Sequence, residues 1–257
     1  MLLLTTVASA DEAADRRYSI GIHDFIVADA DSHTYGLNVS ASIDKRTAAG
    51  RHWVGSFDLF LDRDKDDLDP DHIPIWWQVH LGTDGDWWRS DAMHVGWSVD
   101  INTRMNTVSS IERQITALPK LVAGYDGTGL RTSLQAGAGW FFLEIDDDVP
   151  RTRGYDRDDF RNSELAYTLA ADATVRLGTS WSVFGQAQQW WDSHEWLQTV
   201  FRAAVQMDAG HSSKGSEFAL SADYNKYNLE VYSHPDLLPI LPWDDDLMIR
   251  LSFSKSW

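Results

Sequence analysis

The stretch DRDKDDLDPD, residues 62–71, sets Asp62, Asp64 and Asp66 at alternate positions, the 1, 3, 5 spacing with which calcium loops turn carboxylates onto one cation. The rest of the loop departs from that pattern. Asp67 stands where a sharp-turn glycine belongs and Ile73 where a bidentate Glu closes the site, so a solvated acidic loop competes with a Ca2+ site on these residues. Serine and histidine adjoin three times, in Asp31-Ser32-His33, Asp192-Ser193-His194 and Ser233-His234. Acyl hydrolysis needs a His within hydrogen-bond reach of the Ser and a carboxylate that orients the ring. Neighbours in sequence point apart, so a hydrolase, or a metal cluster that includes His72, requires separate loops to converge.

The elements that must position these groups are strands. A period of two runs through about twelve segments: 17–28, 34–44, 52–62, 73–82, 93–103, 111–125, 130–144, 164–177, 181–191, 196–209, 217–232 and 246–257. Each is near the length that a tilted membrane strand requires. In the eighth, Leu165, Tyr167, Leu169, Ala171 and Val175 oppose Thr168, Asp172, Thr174 and Arg176. In the tenth, Leu197, Phe201, Ala203, Val205 and Met207 oppose Gln198, Arg202, Gln206 and Asp208. Charge therefore sits in mid-strand and always on the same face.

Alternation alone does not separate a soluble sandwich from a barrel whose apolar face meets lipid. The connections do. YDGTG at 125–129 and LGTSW at 177–181 are tight turns, and counting back from the last strand puts them on the periplasmic side of an outer-membrane barrel. The links near 45–51, 83–92 and 210–216, on the same side, read as longer than usual. The opposite set includes 61–74, 146–164, 191–196 and 234–246; together with Asp29 and Asp31 it holds 21 acidic and 6 basic residues, most of the net charge of -17. The chain has 13 tryptophans. Trp53, Tyr125, Trp181 and Trp257 fall at the periplasmic strand ends, and Trp76, Trp191, Trp196 and Trp243 towards the outer ends, as two interfacial girdles.

Several classes drop out. No basic stripe exists to neutralise phosphates, so nucleic acid is not a partner. No apolar run is long enough for a spanning helix. Cysteine is absent, which removes thiolate and disulfide chemistry. Residues 1–10, with Ala8 and Ala10 at signal-peptidase spacing, read as a truncated signal peptide, and 11–257 as one barrel domain.

The polar face of such a barrel lines its interior. The predicted pore-lining groups are His23, Asp58, His80, His94, Asp100, Lys120, Arg131, Asp172, Arg176, Arg202, Asp208, Asp223 and Arg250. Opposed charges around a wall suit a selective pore, and they equally suit an interior closed by ion pairs. Inward Phe60, Trp76, Phe141 and Phe184 predict a constriction.

The last segment, with Leu251, Phe253 and Trp257 on one face, resembles the C-terminal insertion signal of Gram-negative outer-membrane β-barrels, with Trp in place of the usual Phe. The resemblance covers about ten residues and implies recognition by the barrel-assembly machinery. HSSKG at 211–215 is similar to the His-x-Ser-x-Gly stretch of outer-membrane phospholipase A, but Lys214 replaces that family's Asn and the stretch falls in a periplasmic turn, so its catalytic role does not carry over.

The expectation is an all-β, single-domain, antiparallel up-and-down transmembrane barrel in a Gram-negative outer membrane. Its expected role is transport of small solutes through a narrow porin-like channel, with acidic outer loops that meet lipid and lipopolysaccharide. The alternatives are a lipid-modifying hydrolase and a closed structural, adhesive or export-accessory barrel.

Overall fold

In the computed structural model, residues 14–47, 51–63, 74–106, 108–209 and 215–256 are described. They form twelve strands: β1 (Asp15–Val27), β2 (Ser32–Arg46), β3 (His52–Asp62), β4 (Ile75–Arg89), β5 (Met93–Met105), β6 (Ile111–Asp126), β7 (Leu130–Ile145), β8 (Arg161–Leu177), β9 (Trp181–Trp191), β10 (Trp196–Asp208), β11 (Ser216–Tyr227) and β12 (Asp245–Ser256). Each strand pairs antiparallel with its neighbours in sequence, and β1 pairs with β12 from Arg17↔Ser256 to Ile26↔Leu247, which closes the sheet on itself. Closure satisfies every strand edge, the condition for spanning a bilayer with strands. Residues 1–13, 210–214 and Trp257 lie outside the described residues, and with them the expected signal peptide and the terminal aromatic.

Period-two chemistry decides which face is which. On β1, Tyr18, Ile20 and Ile22 stand exposed on the outer wall while His23, Phe25 and Val27 are buried within. The outer residues meet across strands, as in Ile20↔Phe253, Leu220↔Leu251 and the Phe218–Phe253 ring pair at 5.0 Å. Polar pairs bound this apolar belt at the long-loop end, where outward Glu144 binds Arg161 at 2.8 Å and Arg113 at 3.3 Å. At the other end stand exposed Tyr18, Trp53, Trp87, Trp88, Tyr125 and Trp181. An apolar belt with an aromatic rim around a polar interior is the pattern of a transmembrane barrel.

The short links, 47–51, 90–92, 127–129, 178–180 and 209–215, share one end with the two terminal strand ends. Three sequence expectations change. β4 runs to Arg89 rather than 82, which shortens the link after it to three residues. A bulge between Asp86 and Trp88 sets two residues against one, turning Trp87 and Trp88 both outward, 63% and 53% exposed, and this broke the alternation. β11 ends at Tyr227, and Leu229–Tyr232 forms a 3-10 turn that folds inward. Trp76, wholly buried, and partly buried Trp243 belong to the interior, not to an outer girdle.

Candidate functional site

The interior is polar through most of its height and apolar at the long-loop end. Twelve strands enclose more space than one layer of side chains fills. The residues predicted from sequence to line the pore point into it, and ion pairs tie most of them together. Arg250 lies 3.1 Å from Asp58 and 4.0 Å from Asp223, and Arg202 lies 3.5 Å from Asp223. Lys120 Nζ is 2.7 Å from Asp100, whose other oxygen is 3.1 Å from His80 Nε2. His94 Nδ1 is 3.3 Å from Asp126, which Arg131 approaches at 3.9 Å. Asp172 accepts from Ser133 and Gln135. Arg176 and Asp208 line a separate cavity at the short-link end. His23 stands apart: it binds Asp62 at 3.0 Å, buried among Phe60 and Trp76.

Two inward histidines depend on glycine. A Cβ on Gly36 would strike the His23 ring, and one on Gly124 would strike the His94 ring, so each ring lies against bare backbone of the adjacent strand.

A roof covers the long-loop end. Phe60 and Trp76 stack with centroids 3.7 Å apart, and Phe25, Val27, Val108 and Met248 pack with them. A second cluster joins wall residues Phe141, Leu143 and Trp190 to Tyr155 and Phe160 of the β7–β8 loop and to Leu229, Ile240 and Leu241 of the β11–β12 loop. Trp243 touches both clusters. The loops hold one another, with Tyr155 Oη donating to Leu238 O at 2.7 Å and Arg153 to Pro239 O at 2.8 Å. In the β9–β10 turn, partial burial pushes the Asp192 carboxyl up, but the backbone N–H groups of Glu195 and His194, at 2.7 and 2.6 Å, hold it below its ordinary range.

Beneath the roof a polar lattice crosses the lumen. Arg104 on β5 donates to Asp246 on β12 at 2.9 Å and to Tyr227 Oη on β11 at 3.0 Å, while Ser109 donates to Asp246 at 2.8 Å. Gln114 on β6 donates to Gln198 on β10 at 2.6 Å, which donates to Asn225 at 3.1 Å, which donates to Asp246 at 2.7 Å. Arg104 and Asp246 were absent from the sequence-predicted set. Arg104 continues the parity of His94 and Asp100 one residue beyond the strand end drawn from the sequence, and that continuation was the available signal. Under the lattice lies a chamber of about 500 Å³, which shares Asp100, Lys120 and Gln135 as lining with a recess of about 370 Å³ nearer the short links.

The other motifs do not assemble. Asp62 is engaged by His23 and by Trp76 Nε1 at 3.1 Å, while Asp64 and Asp66 lie outside the described residues. Among the described residues no group of three or more His, Asp or Glu side chains converges as a metal site. His33 pairs with Asp24 at 3.3 Å on the outer wall, and Ser233 Oγ accepts from Ile240 N.

Fold and interior together define a closed membrane β-barrel with a charged, water-accessible lumen. Among solved structures the chain is similar to an outer membrane channel from Pseudomonas putida F1, 11% identical over 98% of this chain and 100% of that one, with a TM-score of 0.53. It is also similar to the NanC porin, 12% identical over 95% of this chain and 99% of that one, with a TM-score of 0.52. At these identities the likeness is one of fold. No protein-family model and no curated protein matches the chain.

Proposed function

We propose that the protein is a channel for small polar solutes in the outer membrane of a Gram-negative bacterium, its outer mouth closed in the resting state by the packed roof. One observation carries this reading: a polar chamber below the lattice of Arg104 and Asp246 and a polar recess towards the short links adjoin within the lumen, with Asp100, Lys120 and Gln135 lining both. The charged residues of the wall line the path, as such residues do in selective pores. The two similar solved structures, an outer membrane channel and a porin, support the same reading. The last strand serves as the signal for the barrel-assembly machinery. The acidic outer loops meet lipopolysaccharide, whose phosphates they reach through divalent cations such as Ca2+.

Planar-bilayer recording of the refolded protein is the test. Wild type is expected to give small or intermittent potassium chloride conductance, and Arg104→Ala, which releases Asp246, a larger and steadier one. Absence of conductance in both, at every voltage and with heat-modifiable migration showing that both are folded, overturns the reading.

A further inference from the structure

The chamber under the lattice has an unusual balance of groups, and we infer that it takes neutral, hydroxyl-rich solutes of monosaccharide size in preference to ions. The inference rests on the channel reading. It follows from what remains unpaired. Each formal charge that lines the chamber is matched by an opposite one within ion-pair distance: Arg250 by Asp58, Arg202 by Asp223, Lys120 by Asp100 and Arg104 by Asp246. Four acids face four bases, so no net field draws either sign of ion inward, and the acidity of the outer loops has no counterpart here.

Side-chain amides supply the remaining polarity. The Gln78 side chain lines the chamber with no hydrogen-bond partner among the described residues. Three others use one end of the amide and leave the second end to the cavity: Gln188 donates to Thr168 at 3.0 Å, Gln186 accepts from Arg202 at 3.3 Å, and Gln114 donates to Gln198. Asn102 donates to Thr116 at 3.4 Å and keeps its carbonyl free. An amide presents a donor and an acceptor side by side, and a hydroxyl both donates and accepts. A solute that carries several hydroxyls therefore satisfies this wall as water does, whereas an ion must give up hydration against charges that are already neutralised. The chamber, about 500 Å³, falls within the roughly 300–1,000 Å³ of sites that hold small molecules. Trp190, on the ceiling between Phe141 and the cavity, adds an apolar surface of the kind on which the C–H face of a sugar ring lies.

Proteoliposome swelling with D-glucose, sodium gluconate and glucosamine hydrochloride, three solutes of matched size and different charge, tests this. Glucose is expected to enter several-fold faster than either ion. In Gln186→Leu/Gln188→Leu the ratio of glucose to gluconate entry falls about tenfold, the scale set by two lost neutral hydrogen bonds. Heat-modifiable migration confirms that the variant is folded. Gluconate or glucosamine entering as fast as glucose, or a ratio unchanged in the double variant, overturns the assignment and leaves the channel reading standing. No swelling with any solute, together with no potassium chloride conductance, overturns both.

Discussion

Arg104 and Asp246 meet at 2.9 Å although their strands lie on opposite sides of the barrel, and both side chains are nearly sealed from solvent. The pair is a strut across the lumen, and its neighbours Tyr227, Ser109 and Asn225 occupy the remaining lone pairs of the carboxylate. Removing one partner leaves an uncompensated buried charge. Arg104→Met is expected to lower stability to guanidinium by about 3–5 kcal/mol in detergent micelles, and Arg104→Met/Asp246→Leu by distinctly less, since exchanging both partners for apolar groups is often near neutral. A double variant as unstable as the single one contradicts the strut.

Leu220 lies midway along β11 between Val205 and Leu251, 52% exposed on the outer wall. In water Leu220→Arg is harmless or favourable. In a bilayer it costs about 2–4 kcal/mol near the midplane. Equilibrium unfolding from lipid vesicles separates the two environments.

Gly124→Ala brings a methyl group into the His94 ring, so the ring must shift. The expected loss is about 1–3 kcal/mol, the usual cost of overpacking. Gly124→Ala/His94→Ala should recover most of it, and urea titration of the three variants reads the coupling.

The β9–β10 turn carries a pH dependence with a definite sign. Because the folded-state value of Asp192 is depressed, its stabilising contribution is complete above the unfolded value of 3.8 and is lost as pH falls through the lower folded value. Amide exchange at His194 and Glu195 should accelerate, relative to the intrinsic rate, over that acidic interval. In Asp192→Ala the turn is already loosened and shows no such step.

The twelve strands were legible because the alternation is clean: wherever Leu165, Tyr167 and Leu169 stand outside, Ala166, Thr168 and Ala170 must stand inside. That parity also gave the lumen residues. What it could not give was distance across the lumen. Strand register says which residues are neighbours along the wall, whereas the meeting of Arg104 with Asp246 depends on the reach of a long side chain over strands that lie between. The end of β4 was illegible for a different reason, since the bulge at Asp86–Trp88 cancels the periodicity on which the reading relied. Trp76 and Trp243 were placed towards the outer rim because tryptophan near a strand end usually faces the interface, although parity also turned Trp76 inward; stacking on Phe60 and contact between two clusters hold them within.

The seam between β1 and β12 has a kinetic implication. Arg17 and Ser256 are partners across almost the full length of the polypeptide, so a growing chain holds an open, unpaired margin on its first hairpin until its final hairpin has been made. Nothing within the first eleven strands can quiet that margin. Whatever escorts the polypeptide must keep it from annealing with other molecules, and a lesion confined to β12 is expected to strand the entire sheet in an adhesive, half-curled form rather than to yield a smaller cylinder.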